Sequence, residues 1–240
     1  LIYINISDMN ASKVEIDEVE NKEISLKGFK CKNDGKINCE WPLSEIPYCA
    51  FLIVNGPCGS GKTNLILNLL TRRKKMYYKQ FDKIYIFSPS LGTVSRNIHL
   101  PDDQIFPDLD FDELNAIIEK ERNAEGKRIL LVFDDVIASI NKNQKEFLKL
   151  CYNRRHINAT IILVSQVYNK IPLEIRKVCS ALFFFTNTNK KEIQSVYDDL
   201  ILVERPIFDA IIKHCFQGPH DFLFYIVDSQ QFFHNFNQLI

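Results

Sequence analysis

Short apolar runs alternate with stretches of helical periodicity along most of this 240-residue chain. The runs lie at 49–54, 83–87 (Lys-Ile-Tyr-Ile-Phe), 129–133 (Ile-Leu-Leu-Val-Phe), 160–165 (Thr-Ile-Ile-Leu-Val-Ser), 181–185 (Ala-Leu-Phe-Phe-Phe) and 222–227, the last after Gly218-Pro219. Runs of this length predict buried strands. Between them the periodicity predicts helices at 62–73, 111–122, 143–152, 189–199 and 206–214. Strand and helix in alternation make a mainly parallel central sheet flanked by helices, an α/β fold. Trp41-Pro42 and Ile46-Pro47 punctuate the approach to it. Residues 1–47 are polar with brief alternation, as in Lys13-Val14-Glu15-Ile16 and Glu23-Ile24-Ser25-Leu26. They read as an N-terminal arm or small β appendage ahead of a main domain at 48–240. The acidic, proline-flanked stretch from Pro101 to Asp112 reads as a surface loop. Phe222, Phe224, Phe232, Phe233 and Phe236 read as packing for a last strand and helix against the sheet or a neighbouring subunit.

The junction of the first strand and first helix carries chemistry. Gly56-Pro57-Cys58-Gly59-Ser60-Gly61-Lys62-Thr63 fits G-x-x-x-x-G-K-[ST], preceded by Ala50-Phe51-Leu52-Ile53-Val54 and followed by Asn64-Leu65-Ile66-Leu67. Strand, glycine loop and helix in that order are the context this pattern requires. The glycines let the backbone curl so that several N–H groups face one concavity, where they hold phosphate oxygens. The positive end of the following helix adds to that field. Lys62 would reach the β- and γ-phosphates as a point charge, and the Thr63 hydroxyl would ligate Mg²⁺. Residues 56–64 therefore predict a nucleoside triphosphate site, against the weaker alternative of a bare glycine-rich turn.

The apolar run 129–133 ends in Asp134-Asp135. After a phosphate loop, Asp134 is the expected magnesium holder opposite Thr63, and Asp135 the residue that orients or deprotonates the attacking water. A strand running into a polar turn is the plainer explanation. Gln166 follows the run 160–165, and the carboxyl end of a central strand faces the ligand crevice of an open α/β sheet. It would sense the γ-phosphate or position water, although taken alone a surface amide is as good a reading. Upstream stands Asn153-Arg154-Arg155-His156, a solvated face or the source of an arginine finger for a neighbouring subunit. Arg72-Arg73-Lys74-Lys75, continued by Lys79, complements the C-terminal dipole of the first helix, with a DNA-backbone contact as the alternative. Asn189-Lys190-Lys191-Glu192 misses the guanine-reading N-K-x-D in its last position and reads as a helix start. His214, Cys215 and His220 lack a fourth partner at metal-ligand spacing and read as structural.

Composition narrows the setting. With 30 basic and 30 acidic residues the net charge is zero, so any polyanion site comes from local clustering rather than global attraction. The seven Cys are odd in number and show no C-x-x-C spacing, as reduced thiols in a cytosolic-type compartment would. The N-x-[ST] triplets at Asn5, Asn10 and Asn158 stand without a signal peptide and read as chance. No apolar run approaches a membrane span, so the expectation is a soluble, non-secreted protein.

The series GPCGSGKT, LLVFDD, RRHINATIILVSQ and Ile171-Pro172-Leu173-Glu174-Ile175-Arg176 resembles the FtsK/HerA superfamily, and within it the poxvirus-type genome-packaging ATPases of large DNA viruses and virophages. The likeness covers roughly residues 48–228 and leaves the arm unmatched. It implies a P-loop ATPase of the additional-strand type, in which an extra strand lies between the phosphate-loop strand and the acidic Walker B strand; the run 83–87 intervenes between them in the sequence. It also implies ATP and Mg²⁺ bound between subunits of a ring oligomer, and double-stranded DNA gripped by its backbone and moved into a capsid. Capsid or inner-membrane virion proteins would be further partners, in a virion or cytoplasmic viral factory. The resemblance makes Arg155 the first choice for the finger, Arg176 the second and Arg154 the third. Asp135 departs from the Glu of many cellular relatives, and its shorter reach bears on its role as base. A non-motor P-loop NTPase, either switch or kinase-like, and a nucleotide-binding structural virion component are the competing classes.

Overall fold

Branched and aromatic residues buried on both faces build the strands that carry the site. The computed structural model describes residues 18–19, 49–71, 77, 79–90, 100–122 and 127–240. The strands are β1 (Glu18–Val19), β2 (Phe51–Asn55), β3 (Lys83–Phe87), β4 (Ile105–Phe106), β5 (Ile129–Asp134), β6 (Ala159–Ser165), β7 (Ala181–Phe185), β8 (Phe222–Ile226), β9 (Gln231–His234) and β10 (Asn237–Leu239). Among the described residues they form one sheet in the order β1-β10-β9-β8-β7-β2-β6-β5-β3-β4. From β7 to β4 the neighbours are parallel; from β7 through β8 to β1 they are antiparallel.

Alternate residues of each central strand enter two separate cores, one on each face. Phe51, Ile53, Leu131 and Phe133 join the first, with Leu114, Phe147, Val196 and Phe208 from the helices Phe111–Arg122, Gln144–Asn153, Lys190–Leu200 and Arg205–Cys215. Leu52, Val54, Leu130 and Val132 join the second, which the helix Lys62–Thr71 covers. Asn64 through Leu70 of that helix are all buried. The helix is therefore packed around most of its circumference rather than along one stripe.

The expected elements stand within a residue or two of their predicted bounds where the structure describes them, the end of the helix expected at 62–73 lying outside the described residues, and three expectations change. The strand inserted between β2 and β5 in the sheet is β6; the run 83–87 forms β3, on the far side of β5. Chain order does not fix sheet order in a crossover fold. The stretch Pro101–Asp112 is not a plain loop: it holds a 3₁₀ turn (Asp102–Gln104) and β4 before the helix that begins at Phe111. Buried Gln104 accepts the Ile84 N–H at 3.1 Å, and Phe106 stacks on Phe87 at 4.9 Å. At the C-terminus a hairpin, β9 with β10, replaces the expected last helix. Phe232 enters one core and Phe233 the other, an alternation of two that only a strand satisfies. Glu18–Val19 pairs with the outer edge of β10; the rest of the proposed arm lies outside the described residues.

Candidate nucleotide site

The carboxyl ends of the parallel strands gather the polar residues. Registers pair Asn55 with Ser165 and Asp134 with Val164, so the ends of β2, β5 and β6 stand level along one edge, where open α/β sheets bind ligands. The loop Gly56–Thr63 leaves β2 between β6 and β7. Gly56 N–H donates to the Ser165 carbonyl at 3.2 Å, and the Asn55 amide donates to the same oxygen at 3.1 Å. A Cβ at Gly56 would stand 2.5 Å from Phe185 Cβ and 2.8 Å from Ser60 Oγ, so only glycine fits. Gly59 and Gly61 have φ of +78° and +105°, the conformation that side chains resist. Pro57, Cys58 and Gly59 are exposed, whereas Ser60 and Asn64 are buried.

Lys62 Nζ arches back over the loop and donates to the carbonyls of Gly56 at 2.6 Å and Pro57 at 2.8 Å. Burial pulls its pKa below the ordinary lysine value, opposed by the nearby carboxylates of Asp134 and Asp135. Thr63 follows it, half-buried in the first helical turn. Asp134 is 8% exposed. Burial raises its pKa and the neighbouring Asp135 adds to the rise, while a hydrogen bond from Ser88 and the charge of Lys62 oppose it. The Ser88 hydroxyl donates to Asp134 Oδ2 at 3.2 Å.

Asp135 is exposed, with φ of +58°, a left-handed backbone that Asp tolerates better than most residues. Its Oδ2 accepts the Gln166 amide at 3.2 Å. The structure thus brings Lys62, Asp134, Asp135 and Gln166 together around the loop. It does not bring the arginines there. Arg154 is spent on the opposite edge of the sheet, donating to the carbonyls of Cys49 at 2.7 Å and Cys151 at 2.6 Å and to Ser180 Oγ at 3.4 Å. Arg176 pairs with Asp199 at 2.5 Å and lies 4.8 Å over the Tyr168 ring. Arg155 is exposed in the turn before β6. The length of β6 sets it roughly 20 Å from the phosphate loop of its own chain.

Three contributors escaped the sequence reading. Ser88 follows β3 as Asp134 follows β5, and the Phe87–Phe133 register places them side by side; a polar residue capping an apolar run was the available signal. Glu192 reaches back from the helix Lys190–Leu200 to accept the Tyr168 N–H at 2.9 Å, anchoring the segment just past Gln166. The Nδ1 of His220 meets the Ser60 carbonyl at 3.2 Å, and nothing local in the sequence signals it. Asn189 caps its helix by accepting the Lys191 N–H at 3.0 Å, as a helix start should. The His214 and His234 rings meet edge to face at 5.3 Å. Arg72–Lys75 lie outside the described residues. Among the described residues no helix is long and apolar enough to cross a membrane.

A family model described as Poxvirus A32 protein matches residues 43–205. The DNA packaging protein OPG160 of Variola virus is 29% identical over 131 residues, which cover 51% of this chain and 47% of that protein. The chain thus spans about half the length of the curated relatives it matches. Among solved structures, the genome packaging NTPase B204 from Sulfolobus turreted icosahedral virus 2 in complex with sulfate has a TM-score of 0.62 at 16% identity, over 79% of this chain and 97% of that one. Its complex with AMPPCP has a TM-score of 0.56 at 15% identity, over 78% and 97%. At these identities the structural likeness bears on the fold.

Proposed function

The chain belongs to the poxvirus A32 protein family, and on that premise we propose that it is an ATP-hydrolysing motor that moves double-stranded DNA, packaging a viral genome into a capsid. The observation that carries the chemistry is the loop itself: a glycine cradle closed by a half-buried ammonium that has turned onto carbonyls of its own loop. Such an ammonium gains more from a polyanion than from neutral oxygens. Gly56 to Asn64 would bind the phosphates.

Asp134 fits a divalent cation. It is a buried carboxylate whose affinity for a proton burial has raised, and a serine hydroxyl orients it, an arrangement that a metal relieves. Thr63 and Asp134 would hold Mg²⁺, which when bound neutralises the charge on the terminal phosphates. Asp135 would take a proton from the attacking water. Gln166, already bonded to Asp135, would set the orientation of that carboxylate and register the γ-phosphate. Glu192 holds the segment beyond Gln166, so displacement of the amide would pass to the helix Lys190–Leu200.

A packaging motor cannot depend on sequence, so its contacts should be to the DNA backbone. Head-to-tail association that closes makes a ring. In that ring Arg155 would enter the pocket of the next subunit, because Arg154 and Arg176 are already engaged within their own chain. A finger supplied in trans contributes ~10³–10⁵-fold to turnover. Capsid or inner-membrane virion proteins would be further partners, in the virion or viral factory.

The test is ATPase rate with and without duplex DNA for the wild type, Lys62→Ala and Arg155→Ala, with the assembly state measured in parallel. DNA-stimulated turnover that both variants abolish supports the motor. Turnover by a monomer indifferent to DNA would assign the chain to the non-motor NTPases. Tight binding without hydrolysis would make it a structural nucleotide binder.

A further inference from the structure

The turn before β8 reaches back to the phosphate loop across 160 residues of chain, where His220 Nδ1 lies 3.2 Å from the Ser60 carbonyl oxygen. A carbonyl only accepts, so Nδ1 carries the hydrogen and donates it. The peptide unit is planar and trans, which points the Ser60 C=O and the Gly61 N–H in opposite directions. Holding the carbonyl out toward His220 therefore aims the Gly61 N–H away from it, into the loop. That orientation needs a lock. Gly61 stands at φ +105°, and a glycine accepts both signs of φ at little cost. Left alone, the Ser60–Gly61 peptide can turn over and present an oxygen, not an N–H, to an anion.

The turn that presents His220 is itself fixed on three sides. The Asp221 carboxylate accepts the Gly218 N–H at 2.6 Å and the Asn235 amide at 3.1 Å. The Thr186 hydroxyl, just past β7, donates to the Gly218 carbonyl at 2.7 Å, and the Thr186 N–H donates to the Asp221 carbonyl at 2.8 Å.

We propose that His220 is a positioning residue for the phosphate loop: it pins the Ser60–Gly61 peptide so that the Gly61 N–H faces the bound phosphates. This rests on the nucleotide reading of the loop. Because the N–H serves bound substrate as well as the reacting state, its loss falls on affinity rather than on turnover.

The experiment compares His220→Ala with His220→Asn in the full chain, since Asn Nδ2 stands as many bonds from Cβ as His Nδ1 does. Affinity is measured for a non-hydrolysable ATP analogue and for inorganic tripolyphosphate as competitor, beside kcat, KM and melting temperature. The Ala variant is expected to lose about 3- to 10-fold in both affinities and to raise KM by the same factor. Its kcat should stay within about twofold, and the Asn variant should recover most of the loss. Unchanged affinity in the Ala variant overturns the proposal, as do a loss absent from tripolyphosphate, a collapse of kcat with KM unmoved, or no recovery in the Asn variant. A wild-type chain that binds no triphosphate overturns the nucleotide reading and this inference together. Wild-type binding matched by the Ala variant overturns this inference alone.

Discussion

Replacing Asp135 separates its backbone conformation from its chemistry. The residue sits at φ +58° and accepts one amide from Gln166. A left-handed conformation costs a residue with a Cβ about 1–2 kcal/mol, less for Asp and Asn, whose short polar side chains bond locally. Asp135→Asn should therefore melt with the wild type. Asp135→Ala forfeits the side-chain compensation, about 1 kcal/mol, and the exposed Gln166 bond, about 0.5 kcal/mol. For a chain of this size that lowers Tm by about 3–6 °C. Asp135→Gly relieves the φ constraint but gains unfolded-state freedom, so it should fall within about 0.5 kcal/mol of wild type. In single-turnover hydrolysis all three should lose about 10²–10⁴-fold, the contribution of a positioned base, with triphosphate affinity held within about threefold. The stabilities should thus diverge while the rates fall together. Hydrolysis by Asp135→Asn above a tenth of wild type would refute the base assignment, and an Asp135→Ala chain that melts with wild type would refute the strain argument.

Ser88→Ala removes the donor that orients Asp134; the Mg²⁺ concentration giving half-maximal ATPase should rise about 3- to 10-fold with ATP saturating, and an unchanged Mg²⁺ dependence would show that Ser88 does not tune the metal site. Gly56→Ala forces a Cβ to 2.5 Å from Phe185 Cβ, so melting should show a loss of about 1–3 kcal/mol together with weakened nucleotide binding. The adjacent arginines should part company. Arg154→Ala should lower stability by about 2 kcal/mol or more, while the fraction that stays folded and assembled hydrolyses normally. Arg155→Ala should melt with wild type and lose about 10³-fold or more in turnover. Rings mixed from Arg155→Ala and Lys62→Ala subunits should regain part of the rate, because each supplies what the other lacks; mixtures as inactive as either parent would place the finger elsewhere.

What the sequence made legible was local. The phosphate loop, the buried runs and the doubled carboxylate are patterns a few residues long, and the elements follow them closely. Sheet order was not legible, because β6 reaches its place between β2 and β5 through a crossover that leaves no mark on periodicity. The two residues of β4 and the four of β9 are too short to show a period. Ser88 and His220 act on partners 46 and 160 residues away, and no spacing rule spans such distances. Sorting the arginines likewise needed the tertiary contacts: all three carry the same charge in the sequence, yet two prove to be tethered inside their own chain.

The tether at Arg154 also bears on how a ring would tolerate damaged parts. Its guanidinium joins the carbonyl before β2, the end of the helix Gln144–Asn153 and the serine before β7, and the next residue along is the one we propose would serve a neighbour. A copy whose sheet has come apart would drop its hand as well as close its own pocket. Every unsound copy would then idle the sound one beside it, a built-in way of stopping a faulty machine from burning fuel.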